Sequence, residues 1–374
     1  MHQRALICFL VVSKVLAYTA LGITTDVKVP KAFRALVAES VGNSFSDVAT
    51  VIEIETPELK KDEALIRVEY AGVNGGCETF RARAEHSFQQ NKDLKNFRLG
   101  AEGVGRVVAV GSEVENVVVG DAVCFVGSAF SEYTTSKASM LWVIPEATQE
   151  YVGLRISALT SCAMLEQTGK IKPGEKVLVT AAAGGAGHFA VQFAKVAGCE
   201  VIGTCGSDEK ARVLKGLGCD HIINYKSQNV KEELCRIAPD GIDVILEGVG
   251  GRMLEVALEC LGPEGRLLQI GYISEYPHSD EDTESVNTGL NVAELFWKSQ
   301  TIQRGKQTIY GNAWPKDFSL VAGCKNRVLD LFTENKLESI VDDSSTFVGL
   351  ESVSDAIEHM LSGKTIGKVV VKIR

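Results

Sequence analysis

Residues Lys176 to Cys205, KVLVTAAAGGAGHFAVQFAKVAGCEVIGTC, decide the fold. Lys176–Thr180 is a short β-branched apolar run of the kind that forms a buried strand. Ala181–Gly187 is made only of alanine and glycine. His188–Gly198 repeats apolar residues with helical spacing, and Glu200–Cys205 is strand-like again. Strand, small-residue loop, helix and second strand in that order require two parallel strands joined by a crossover. In the loop, Ala183, Gly184, Gly185 and Gly187 let the backbone turn tightly and approach a diphosphate, whose charge then meets the positive end of the helix beginning near Gly187. The first glycine of a GxGxxG pattern is Ala182 here, so the surrounding order of elements carries the reading, not the glycine count.

Working downstream, the alternation continues through SDEKARVLKGLG, HIINY, DVILEGVG and GRLLQIGYIS, which predicts an α/β domain with a doubly wound parallel sheet. The end of the second strand then selects the dinucleotide. An Asp or Glu there would bind both ribose hydroxyls and repel a 2′-phosphate. The chain has Gly206-Ser207 instead. Ser207 is placed to cap the next helix and donate to phosphate, and Lys210 supplies a positive charge from its first turn. NADPH is therefore expected over NADH, with Tyr225, at the end of the third strand, covering the adenine.

Upstream, residues 31–159 read as short alternating strands separated by Gly, Asn, Asp and Pro, which describes a compact antiparallel β domain. Downstream of QTIYG, at Gln307–Gly311, two helical runs and a terminal strand, GKVVVKIR, close the chain. With 374 residues, two lobes are expected. The net charge of −9 offers no field to gather a nucleic-acid backbone. Ten cysteines without a CxxC pair suggest thiols in a reducing compartment, so an intracellular location is expected, without a choice among cytoplasm, mitochondrion and peroxisome. Residues 1–28 read as an extension or targeting segment. Lys14 interrupts the apolar run Ala5–Ile23, which disfavours a secretory or membrane-anchored start.

The chain resembles the medium-chain dehydrogenase/reductase superfamily from Lys31 to Arg374, and within it the prostaglandin-reductase group. The motifs are AGVN at Ala71–Asn74, GAEGVGRVVAVGSEV at Gly100–Val114, GDAV at Gly120–Val123, KPGEKVLVTAAAGGAG, GTCGSDEK, LGCDHIINYK, GVGG and GYISEY at Gly271–Tyr276. The resemblance implies a GroES-like catalytic domain from residues 29–157 and 312–374 around a Rossmann domain at 158–311. It places Gly248, Ile270, Tyr276, Asn312, Ala313, Trp314 and Thr365 at the cofactor. Zinc alcohol dehydrogenases have a cysteine and a histidine where this chain has Asn74 and Ala101, so no metal site is expected.

Without a Lewis acid, an acceptor that spreads its charge is the easier substrate. The implied activity is NADPH-dependent reduction of the carbon–carbon double bond of a conjugated lipid enone of the 15-oxoprostaglandin kind, with Tyr276 donating to the enolate oxygen. Alternatives are an NADPH quinone oxidoreductase and a non-catalytic NADPH-binding regulatory protein. The resemblance also implies a homodimer in which QTIYG pairs across a two-fold axis. The Tyr133–Lys137 stretch spells YxxxK, but it lies in a β-like run ahead of the glycine loop and is read as a coincidence; His188 is read as an ordinary helix residue.

Overall fold

A computed structural model describes residues 29–39, 45–75, 97–275, 288–311 and 318–374. The expectations for residues 1–28, Tyr276, Asn312, Ala313 and Trp314 fall outside the described residues.

The doubly wound sheet forms as expected. Its parallel strands are Lys176–Val179, Glu200–Cys205, His221–Asn224, Ile242–Glu247, Leu261–Gln269 and Gln307–Gly311, and Thr301–Arg304 adds an antiparallel edge. Numbered along the chain, the strand order is 3-2-1-4-5-7-6. Val177, Leu178 and Val179 are fully buried, as a central strand covered on both faces requires. Phe189, Ala190, Val191, Phe193 and Ala194 of helix Gly187–Val196 fill one layer, while Leu254 and Ala257 of Gly251–Glu259 help to fill the other. The order reverses at Lys176–Val179, so the carboxyl end of that strand opens a crevice, the place where such sheets bind ligands.

The other lobe is built on Glu63–Gly72, which pairs antiparallel with Glu102–Val110, Tyr133–Lys137 and Val370–Lys372. Strand Ala122–Val126 and strand Trp142–Ile144 extend it, and Ala32–Ala38 forms a small second sheet with Ala49–Glu55 and Phe97–Arg98. The chain terminus thus returns to the first lobe. YxxxK lies on a strand, with Tyr133 buried and Lys137 exposed, so the two cannot act as a helical proton-transfer pair.

One expectation is overturned. Gln307–Gly311 is flanked by Leu261–Gln269 on one side and Thr301–Arg304 on the other, leaving it no free edge with which to meet a second copy. The open edge on this side of the sheet belongs to Thr301–Arg304. Among the described residues, no helix is long and apolar enough to cross a membrane.

Candidate active site

Thr180–Gly187 turns directly from the first parallel strand into helix Gly187–Val196. Ala181 takes a positive φ of 45°, and Gly184 N–H closes the turn onto Ala181 O at 2.9 Å. A Cβ on Gly187 would be driven into Ala181 O and Ala182 Cα, so only glycine permits this approach. No side chain caps the helix, which leaves its amide end available to an anion.

His188 does more than the sequence suggests. It is fully buried, and burial pushes its imidazole down to about 4. In the neutral ring Nδ1–H donates to Gly184 O at 2.9 Å, and Nε2 accepts from Ile340 N–H at 3.2 Å. This assignment follows from the bonding pattern: an amide N–H needs an acceptor and a carbonyl needs a donor. The ring therefore fastens the glycine loop to the C-terminal segment.

A cleft of about 610 Å³ opens beside the loop. Ala183, Gly184, Gly185 and Gly187 line it, as do Gly206, Lys210, Tyr225, Gly248, Ile270 and Thr365, so ten of the expected cofactor residues converge. Ser207 is not part of the wall; its hydroxyl caps the next helix by accepting from Lys210 N–H at 3.2 Å. The Lys210 ammonium donates to Gly363 O at 2.6 Å, and burial lowers its pKa. The 248–250 turn is held by Glu247, which accepts from Val249 N–H, Gly250 N–H, Gln269 Nε2 and Thr180 Oγ1. Burial nevertheless raises this carboxyl to about 7.

The same cleft brings together residues that the sequence does not assign to a site, with Lys368 lying against Gly185 of the loop. Asn74 and Lys368 line the cleft. Lys368 Nζ lies 2.6 Å from Glu102 Oε1 and donates to Asn74 Oδ1 at 2.7 Å. Asn74 Nδ2 donates to Glu102 Oε1 at 2.9 Å, and Ile156 N–H donates to Glu102 Oε2 at 2.8 Å. Local pattern conceals this cluster, because Lys368 is 294 residues from Asn74. Apolar side chains of Val73, Met253, Ile273, Phe296, Trp297 and Met360 complete the cleft.

A doubly wound sheet with an anion-ready loop, facing a β lobe across an apolar cleft, defines a dinucleotide-dependent oxidoreductase. The zinc-binding dehydrogenase family model matches residues 185–323, and the alcohol dehydrogenase GroES-like domain model matches residues 60–146. The chain belongs to the medium-chain dehydrogenase/reductase superfamily. It is 36% identical over 354 residues to prostaglandin reductase-3 of Mus musculus, covering 92% of this chain and 90% of that protein. It is 35% identical over 353 residues to a probable quinone oxidoreductase of Leishmania amazonensis, covering 92% and 99%. The solved CurK enoyl reductase superposes with a TM-score of 0.74 at 25% identity, covering 92% of this chain and all of that one. An Escherichia coli quinone oxidoreductase solved with NADPH gives 0.75 at 23% identity, covering 91% and 99%, a likeness of fold.

The zinc in the first family's description does not fit the residues present. Asn74 offers a carboxamide and Ala101 a methyl group. The one carboxylate, Glu102, is already engaged by an ammonium and two N–H groups. A divalent ion there would face Lys368 at close range, and imidazole and thiolate ligands are lacking among these residues.

Proposed function

We propose that the protein reduces the carbon–carbon double bond of conjugated enones with NADPH. Three features support the cofactor: a glycine loop at a helix amide end, a second strand ending without a carboxylate, and Lys210 within the same cleft. When bound, NADPH supplies the hydride. Loop amides would hold the diphosphate, Lys210 would exchange Gly363 O for the 2′-phosphate, and Tyr225 would cover the adenine. Val73, Ile273, Phe296 and Met360 exclude water from the reacting end.

The observation that carries the substrate class is the Asn74–Glu102–Lys368 cluster, through which Asn74 and Lys368 bring hydrogen-bonding groups and no metal ligand set to the wall of an apolar cleft. Hydrogen bonds suffice for an oxyanion whose charge is delocalised as an enolate. The similarity to prostaglandin reductase-3 supports a lipid enone, with Tyr276 as a further donor. The similarity to a quinone oxidoreductase supports quinones as the second reading. A steady-state screen of 15-oxoprostaglandins, shorter enones and quinones, each with NADPH and NADH, tests both. Turnover of enones with NADPH is expected; turnover of quinones alone would establish the second reading in its place. A homodimer formed through the open edge Thr301–Arg304 completes the proposal.

A further inference from the structure

The Asn74 carboxamide has a fixed orientation. Its oxygen faces an ammonium and its nitrogen faces a carboxylate, so a flipped amide would set two acceptors and two donors against each other. The two charged partners are buried, Lys368 at 2% and Glu102 at 0% exposure, and their separation of 2.6 Å leaves neither free to turn away. Of the two N–H groups on Nδ2, one is given to Glu102. The other has no partner among the described residues, and Asn74 borders the cleft beside Val73 and Gly75. A donor whose direction is set before the acceptor arrives incurs no reorganisation when charge develops. The pull of the ammonium on Oδ1 also polarises the amide and strengthens its remaining N–H as a donor.

We propose that the free Nδ2–H of Asn74 is a catalytic hydrogen-bond donor to the acceptor oxygen, with Lys368 and Glu102 as its positioning residues. This rests on the enone-reductase reading above. Hydride adds to the β-carbon, the π-electron pair moves to give an enolate, and its oxygen receives the Asn74 hydrogen bond. The α-carbon proton then comes from solvent water, so Asn74 loses no proton and needs no recharging.

The test compares the full-length protein with Asn74→Ala and with the double variant Glu102→Gln/Lys368→Met, which removes both charges together. Each is titrated with NADPH by fluorescence and assayed with a saturating enone. Asn74→Ala is expected to lower kcat about 100-fold, the scale for losing one oxyanion donor, while NADPH affinity and enone KM change less than about threefold. The double variant, still carrying Asn74 but no longer fixing it, is expected to lose roughly tenfold in kcat with the same split. Either variant retaining full kcat overturns the role assigned to the altered residues. A matching loss of NADPH affinity would assign the cluster to structure instead. Asn74→Ser, smaller and still polar, replaces Asn74→Ala if the latter does not fold. An unmodified protein that turns over no enone defeats the underlying function, an outcome distinct from an active protein indifferent to Asn74.

Discussion

At the level of single residues, Lys210 and His188 both bond the C-terminal segment but by opposite means, one by holding a charge and the other by refusing one. Lys210 keeps its ammonium against a carbonyl in the cleft. Lys210→Ala should weaken NADPH binding about tenfold and leave NADH binding nearly unchanged, because only the 2′-phosphate loses a partner. Parallel fluorescence titrations check this, and equal losses would place Lys210 elsewhere in the binding scheme. His188 is held below its ordinary range by burial. Its unfolded form takes up a proton near pH 6.5 and its folded form only near 4, so stability present above pH 6.5 is lost as the pH falls toward 4. The difference amounts to about 3 kcal/mol. Urea melts at pH 7 and 4.5 should show a smaller acid loss for His188→Asn than for the parent, and equal losses would contradict a neutral buried ring. The helix cap of Ser207 and the cleft positions of Lys210 and Tyr225 were legible because each sits at a strand end or helix start recognisable from adjacent residues. Glu102, Asn74 and Lys368 were not, because a sequence shows which residues are polar but not which distant ones share protons.

Among the elements, the glycine loop was readable because the lack of room for a Cβ at Gly187 and an uncapped helix end confine it to small residues between a strand and a helix, whereas the left-handed turn at Ala181 was not, since alanine gives no signal for it. The sheet's outer edge was harder. Thr301–Arg304 is four residues long, half of it Gln and Arg, and shows little of the alternation that marks a strand. Its strand character comes from the hairpin turn at Gly305-Lys306 and from the register against Gln307–Tyr310. Backbone groups along this edge are unsatisfied by the sheet on one side, a template for a second copy. Successive N–H groups point to opposite sides of a strand, so of Ile302→Pro and Gln303→Pro one removes an outward donor. That variant should sediment as a monomer and keep a cooperative melt. Dimers surviving in both would show that the edges do not pair.

In the whole molecule, the cofactor loop belongs to both lobes at once. Gly184 and Gly367 form a parallel bridge, and Gly367 N–H donates to Ala183 O at 2.8 Å. Nearby, Gln192 Nε2 donates to Glu338 O at 2.9 Å, Ile340 bonds His188, and Lys210 reaches Gly363. Residues 338–340 and 363–368, on either side of the β-lobe strand Phe347–Val348 and helix Val353–Leu361, therefore act as a strap between the doubly wound domain and the β lobe, and strand Val370–Lys372 anchors the end. Binding a dinucleotide should then stabilise the two lobes together. At 100 times its Kd, NADPH should add about 2.7 kcal/mol, a rise of several degrees in a single melting transition. Gly367 is the weak point of the strap. It has a φ of 79°, and a Cβ there would be forced into Ile340 O. Gly367→Ala should lower the melting temperature without cofactor, reduce NADPH affinity more than tenfold, and abolish most of the cofactor-induced rise at a fixed NADPH concentration. These losses follow if the strap holds the loop in its binding shape. A Gly367→Ala protein that melts lower yet binds NADPH with full affinity would show that the loop keeps that shape from its own lobe alone.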